Sequence, residues 1–234
     1  MREIWLFLLF ISDFVSVSPS SVRRVRLIDH TSYAISIIQK TMSRVEQRCW
    51  CNLKIDDVHV NVNEDVLGKA IYAEVDLKDG FVVSIQKIGI IDNTIQQKWL
   101  PFSGNTTRVE VHSTVKMTDV AVGFNVIAKE DKTKKVSHST GLIVYPDVQF
   151  QFTITKHLFT DEITVDVVGV LPRTTNRMQF TPENHVTNVL TALFNSTSTA
   201  ISVARWARDI FEPITLEMAT KEIEFPRICY NCAT

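Results

Sequence analysis

The chain has 234 residues, with 25 lysines and arginines against 26 aspartates and glutamates. The formal net charge is −1, so the composition excludes the basic footprint that nucleic-acid binding requires. Only seven glycines and seven prolines are present, which excludes low-complexity linkers and leaves no visible domain boundary.

The first residues have the order of a secretory signal. Arg2 precedes an apolar run over residues 4–11, and a serine-rich stretch follows over residues 16–20. So short an apolar run cannot span a bilayer. We therefore predict a signal peptide over residues 1–18 and one domain over residues 19–234. The protein is expected to be secreted and extracellular, without stable insertion into a membrane.

The next segment, residues 21–48, is predicted to be an amphipathic helix. Ile28, Ile35 and Met42 recur at steps of seven residues, which gives the helix one apolar face. We expect this face to dock on the core of the same domain. A coiled coil and a helix lying on a membrane are the alternatives.

Four cysteines form two close pairs, Cys49 with Cys51 and Cys229 with Cys232. In a secreted protein an even number favours disulfides, and this number allows three connectivities. We favour cross-links between the pairs, since a bridge across one residue is near the limit of disulfide geometry. Such links would place the C-terminal ends of the first and last helices together, with the helices parallel. A zinc site and a redox Cys-x-x-Cys motif are the alternatives.

Strands are predicted over residues 67–171. Apolar and polar residues alternate along residues 109–117 and again along residues 148–154, which is typical of an antiparallel sheet with one covered face. Residues 78–80 have the composition of a hairpin turn, and residues 146–147 that of a second turn.

Residues 186–223 are predicted to form one long helix. Thr181 is the expected N-cap and Pro182 the first helical residue, and Pro213 should kink the helix near Phe211. Its apolar seam is large at both ends and small in the middle. A helix of this shape leaves room against a curved sheet, so we expect an apolar ligand there.

The predicted ligand site combines inward residues of the strands with the seam of the last helix. No inward Arg or Lys is expected, so affinity should depend on buried apolar area and not on charge. The predicted ligand-binding residues are Val111, Val115, Val122, Phe124, Phe150, Phe152, Val165, Leu193, Ala200, Ala204, Ala207 and Phe211.

Two N-glycosylation sequons begin at Asn105 and Asn195. Asn105 lies in a loop by composition, and Asn195 lies on the long helix, facing away from its seam. Both are therefore predicted to face water and to carry glycans.

Motifs of catalysis are absent from the sequence. It contains no Gly-x-Ser-x-Gly elbow, no His-Glu-x-x-His motif and no phosphate-binding glycine loop. We predict no catalytic residue, no metal and no cofactor, and hence no enzyme. An esterase whose catalytic residues come from distant segments is the least favoured alternative.

The order of elements resembles a known group of proteins. The residues that carry the resemblance are the runs 75–82 and 108–117 and the segment 209–214, with its proline midway along the last helix. In these segments the chain resembles arthropod secreted proteins of the tubular lipid-binding superfamily, especially the group-seven mite allergens and the takeout and juvenile-hormone-binding proteins. The resemblance implies a curved sheet wrapped around a long helix, with an apolar tunnel between them.

We therefore predict an α+β fold, in which a long curved antiparallel sheet wraps around a long C-terminal helix, with an amphipathic helix at the N-terminus. The predicted function is a secreted carrier of a lipid or other apolar small molecule, with no nucleic-acid partner. The main alternative is an interaction protein that acts through its outer surface. Its interior should be filled, by Trp99, Trp206 or phenylalanines of the sheet.

Overall fold

The computed structural model describes residues 25–48, 54–66, 69–101 and 107–230. The helices are α1 (His30–Gln47), α2 (His185–Leu193), α3 (Thr197–Trp206) and α4 (Glu212–Glu217), with π-helical turns at Ala207–Phe211 and Met218–Glu222 and a 3-10 turn at Asp92–Thr94. The strands are β1 (Val25–Leu27), β2 (Lys54–Ile55), β3 (Val58–Val66), β4 (Lys69–Ser84), β5 (Lys87–Ile90), β6 (Gln96–Pro101), β7 (Thr107–Glu130), β8 (Val136–His157), β9 (Ile163–Val170), β10 (Gln179–Thr181) and β11 (Ile228–Tyr230).

The two longest strands, β7 and β8, form the spine of a nine-stranded antiparallel sheet. They pair from Arg108 opposite His157 to Lys129 opposite Val136. On one side of this spine, β4, β5 and β6 pair with β7, and on the other side β9 and β10 pair with β8. The predicted α+β fold, with a large antiparallel sheet against a long C-terminal helical segment, is confirmed.

Two predicted turns are bends within continuous strands. At Asp79, φ is 51°, and the pairing of β4 with β7 shifts between Lys78 and Phe81. Pro146 lies inside β8. At the same level of the sheet, Asp119 on the neighbouring strand β7 has a φ of 50°. The predictions of a hairpin and of a turn were therefore wrong, because irregularities of this kind bend a strand without ending it.

The first helix is shorter than predicted. Asp29 has a φ of 56°, and α1 begins only at His30. The residues before it form β1, which pairs with β11 of the C-terminal tail. Ile28 is exposed, so the seam does not follow steps of seven residues. The buried face of α1 consists of Tyr33, Ala34, Ile37, Ile38, Thr41, Met42 and Val45.

The long C-terminal helix is interrupted. It begins after Asn184, whose side chain accepts hydrogen bonds from the backbone of Val186 and Thr187 and completes a capping box. Thr181 instead ends β10, so the predicted N-cap was wrong. Residues 194–196 separate α2 from α3. Pro213 lies in the first turn of α4, where its missing N–H is tolerated, and the helical path continues through it.

The first helix packs against the last helical segment. The ring of Tyr33, near the start of α1, packs edge-on against Phe225, which follows the last helix, with centroids 5.2 Å apart. Further along α1, the hydroxyl of Thr41 lies 3.3 Å from that of Thr215. Arg44, in the last turn of α1, pairs at 2.8 Å with Glu222, where the last helical segment ends. The expected parallel arrangement of the two helices stays a prediction. Among the described helices, none is both long enough and apolar enough to cross a bilayer.

The last helix touches the sheet most closely at Gly169 of β9. A Cβ atom at this position would lie 2.2 Å from the carbonyl oxygen of Ala204 and 2.8 Å from its Cα atom. The backbone of α3 thus rests directly on the backbone of β9. Nearby, the backbone N–H of Val167 points to the Glu212 carboxylate, 3.4 Å away, so the helical segment also covers the outer edge of this strand.

We expect Gly169→Ala to lower the free energy of unfolding by about 1 to 3 kcal/mol or more, because the obstructing atoms belong to a helix backbone. The matched control is Gly89→Ala on β5, where no atom lies within 4 Å of the added Cβ. Its effect should stay within about 0.5 kcal/mol. Urea denaturation of both variants measures the difference. Equal effects would show that the close approach is not a constraint on the fold.

Candidate ligand-binding site

Most of the predicted ligand-binding residues are brought together between the sheet and the last helix. Val165 and Ala204 are only partly buried, and the side chain of Leu193 lies outside the description. Val111 belongs to a second apolar cluster beneath the start of α1. The other predicted residues belong to one buried cluster, and they are Val115, Val122, Phe124, Phe150, Phe152, Ala200, Ala207 and Phe211.

Aromatic rings fill the middle of this interface. Phe211 of the π-helical turn is fully buried, with its ring centroid 4.9 Å from that of Phe150, 6.4 Å from that of Phe152 and 6.0 Å from that of Trp206. These separations are typical of well-packed aromatic pairs. The small residues of the seam let the helix approach Gly169, and the side chains described at this level touch one another. Their role as ligand contacts stays a prediction.

Buried hydroxyl groups in this interface are hydrogen-bonded. The Tyr145 hydroxyl, on β8, donates to the carbonyl oxygen of Ser196 at 3.1 Å and also contacts the Thr199 hydroxyl. Thr199 donates in turn to Ser196, at 2.9 Å. Burial raises the pKa of Tyr145 to about 12, so this hydroxyl stays protonated over the physiological range. The contact fastens the break between α2 and α3 to the sheet.

Open clefts lie at the two ends of the sheet. The largest of those described here, which we call the base cleft, has a volume of about 680 Å³ and lies where the last helix ends. It is lined by Lys156, Asp161, Ile163 and residues 219–228. A cleft of about 640 Å³ at the opposite end includes Tyr72, Glu130 and His185. Ala200 is the one predicted residue in a third cleft, of about 570 Å³.

Lys156 is a candidate that the sequence analysis missed. Its partner across the sheet is Val109, which is fully buried, and directly opposed residues share a face. The Lys156 side chain is 16% exposed, and its Nζ atom lies 6.0 Å from the centroid of the Phe225 ring. The expectation that no inward lysine exists was therefore wrong. Extending the alternation of β8 by one step beyond Ile154 places Lys156 on the inward face, although it does not predict its burial.

Two buried donors near the base cleft have no hydrogen-bond partner among the described residues. They are the Tyr33 hydroxyl and the Trp99 indole N–H. Burial strongly raises the pKa of Tyr33, so its hydroxyl keeps its proton. Tyr33 also lines a smaller cleft of about 300 Å³, on the α1 side of the segment that carries Phe225. Unpaired buried donors are costly and are uncommon in packed cores.

His112, on the outer face of β7, has polar partners at both ring nitrogens. Its Nε2 atom lies 3.0 Å from Glu110 and its Nδ1 atom 3.2 Å from the Thr153 hydroxyl. Arg108 lies 3.2 Å from the same carboxylate. None of these residues lines the clefts described above. Within the described ranges, no group of three or more His, Cys, Asp or Glu could hold a metal ion.

The predicted modification sites are only partly covered by the description. Cys229 lies on β11 and is disulfide-bonded. Cys49, Cys51, Cys232 and Asn105 lie outside the described residues, so the connectivity stays a prediction. Asn195 is exposed, but in the break between α2 and α3 and not on a continuous helix.

Comparisons with known proteins give matches among solved structures but not among family models or curated proteins. No protein-family model matches the sequence, and no curated protein matches it significantly. Among solved structures, the chain is similar to one described as the crystal structure of lipopolysaccharide binding protein, with a TM-score of 0.44 and 9% sequence identity. The alignment covers 84% of this chain and 40% of that one, so the chain spans less than half the length of that protein.

We expect Tyr145→Phe to lower the free energy of unfolding by about 1 to 2 kcal/mol, because a buried hydroxyl is removed from two oxygen partners. Tyr72→Phe is the control, since Tyr72 is 38% exposed. Its effect should stay within about 0.5 kcal/mol. Thermal or urea denaturation measures both. If Tyr145→Phe has no larger effect than the control, the hydroxyl does not fasten the helical break.

Proposed function

We propose that the protein is a secreted binding protein that carries a lipid or another apolar small molecule. The observation that supports this most directly is the continuous apolar face of long strands, covered by a helical segment that is not continuous. Such an arrangement offers extensive apolar surface to a ligand. The resemblance of the sequence to tubular lipid-binding proteins points in the same direction.

The interruptions of the last helix give a ligand a physical route to this surface. The helical path changes at residues 194–196 and at the π-helical turns Ala207–Phe211 and Met218–Glu222. π-helical turns are rare and often lie at functional sites. Phe211 and Trp206, which occupy the middle of the interface, lie in or beside the first of these turns. A shift of this turn moves their rings away from Phe150 and exposes the sheet to an apolar ligand.

Binding at this interface depends on buried area. The buried hydroxyl groups of Tyr145, Thr199 and Thr215 in this interface are already hydrogen-bonded. An apolar ligand therefore gains free energy by leaving water, at roughly 25 cal/mol per Å² of apolar surface. An interaction protein would also keep a filled interior, so binding measurements are needed to separate the two functions.

Secretion is part of the proposal. It rests on the signal-like residues 1–18 and on the accessible sequon at Asn195. Asn195 is exposed, and its side-chain oxygen accepts hydrogen bonds from the Thr197 backbone at 2.9 Å and from its hydroxyl at 2.6 Å. This contact orders the sequon in a break between helices, where a transferred glycan has room.

Expression of the full chain in secreting eukaryotic cells tests this proposal. We expect the protein in the medium to lack residues 1–18 and to carry a glycan that Asn195→Gln removes. Native mass spectrometry should show an added apolar molecule, and solvent extraction should release it. Retention of the protein in the cells would contradict secretion. A secreted protein that carries no extractable ligand and binds no apolar probe would contradict the carrier function.

A substitution at the contact with the sheet tests the location of the ligand. We expect Ala204→Trp to abolish binding of a fluorescent apolar dye, because the added ring covers apolar surface beside the contact of α3 with β9. Ala192→Trp is the matched control, since Ala192 is exposed on α2. It should leave the dye affinity unchanged. Circular dichroism monitors the fold, and Ala204→Leu replaces the tryptophan variant if overpacking disturbs it.

Unchanged dye binding by a folded Ala204→Trp or Ala204→Leu variant would place the ligand elsewhere. For a ligand held by buried area, affinity for fatty alcohols should rise by up to about 0.8 kcal/mol for each additional buried methylene. The rise should stop when the site is full.

A further inference from the structure

The base cleft joins a cation to apolar walls. Lys156 lies on the apolar face of β8, opposite Val109 on one side and Ile163 on the other. Its side chain is only 16% exposed. Lysine is rarely buried unless it is paired, because removing an ammonium group from water is costly. The groups that pair with this lysine therefore indicate which ligand groups the site can bind.

The partners of Lys156 come from a single exposed turn. Its Nζ atom lies 2.5 Å from the Asp161 carboxylate and donates to the Asp161 carbonyl oxygen at 3.1 Å. The Asp161 side chain is 88% exposed, and its backbone has a φ of 59°. An ion pair with so exposed a carboxylate contributes little to stability, since water competes for that carboxylate. Another anion can take its place at small cost.

The rest of the cleft suits a hydrocarbon chain. Ile163, Ala219, Ile223, Phe225 and Ile228 contribute apolar surface, and all of them belong to the second apolar cluster or pack against it. The volume of about 680 Å³ lies within the range of small-molecule sites.

Among the described residues that line the cleft, Lys156 is the cation that faces inward. The other charged groups are paired or exposed. Glu222 is held by Lys40 at 3.3 Å and by Arg44 at 2.8 Å. Lys221, Glu224 and Arg227 also line the cleft, but all three are exposed.

We propose that the base cleft binds an amphipathic anion, with Lys156 pairing with its carboxylate or phosphate group and its hydrocarbon chain packed on Ile163, Ile223 and Phe225. This inference rests on the proposed carrier function and adds the class of ligand and its direction, with the headgroup in the base cleft and the chain continuing from there towards the interface around Phe211. The ligand anion replaces the Asp161 carboxylate on Nζ. A pair with a lysine half-enclosed by apolar groups is stronger than a pair in water.

Displacement of a fluorescent apolar dye by palmitate, hexadecyl phosphate and hexadecanol tests the proposal. We expect the wild-type protein to bind the two anions about tenfold more tightly than the alcohol, which corresponds to about 1.4 kcal/mol. Lys156→Met keeps the apolar stem and should remove this preference without changing the affinity for hexadecanol. Lys156→Arg should retain the preference. Inorganic phosphate alone should not displace the dye, because it lacks the chain.

Two further variants serve as controls. Lys221→Met removes an exposed cation of the same cleft and should leave the preference unchanged. Asp161→Asn removes the competing carboxylate and should increase the affinity for palmitate, while asparagine tolerates the left-handed backbone. Reductive methylation adds a measurement on the unaltered protein, in which bound palmitate should protect Lys156 but not Lys221.

The outcomes separate the two proposals. Equal binding of palmitate and hexadecanol by the wild-type protein would overturn the anchor and leave the carrier function standing. A preference that persists in Lys156→Met, or is lost in Lys221→Met, would also overturn it. Displacement of the dye by inorganic phosphate alone would indicate a site for a free anion. Failure of every chain-bearing ligand to bind would overturn the carrier function as well.

Discussion

The contact between two backbones, of α3 at Ala204 and of β9 at Gly169, is the constraint on which the rest of the structure depends. It fixes how far the last helix stands from the sheet, and so how much space remains for side chains beside it. On one side of the contact, that space is taken by Phe211 and the rings around it. Close packing of this kind has discrete arrangements, so entry of a ligand would require the π-helical turn and the rings around Phe211 to shift together.

The sequence predicted the class of fold because two periodicities are strong in it. Alternation along β7 and β8 marks the covered face, and the spacing of apolar residues marks α1 and the last helix. The predictions of local structure were wrong where one amino-acid composition is compatible with two local structures. Asp79 with Gly80 suits a hairpin or a bulge, and only the pairing of β4 with β7 decides between them. Thr181 and Asn184 are both good caps, and tertiary contacts select Asn184.

Most of the predicted ligand-binding residues share one neighbourhood, and their role as ligand contacts stays a prediction. Most of the chosen residues lie together, because residues that share an apolar face also share a core. A stripe of alanines does not reveal whether a helix leaves a space or moves closer, since both require small side chains. Lys156 was missed because a charged residue at the end of a strand is ordinarily solvated. Its burial follows from the return of the tail, with Phe225, over the end of the sheet, and local sequence carries no signal for that contact.

Charge is distributed unevenly along the interior of the molecule, so its two ends differ in chemistry. The interface around Phe211 contains neutral groups, among them hydrogen-bonded hydroxyls, whereas the end near Phe225 contains a partly buried lysine. In a carrier, the neutral part would bind any apolar surface and so distinguish poorly between ligands. The charged end would distinguish ligands by their headgroups, since a partly buried cation favours a paired over an unpaired state. In a carrier, the apolar region would therefore supply affinity, and the lysine would set the ligand's orientation.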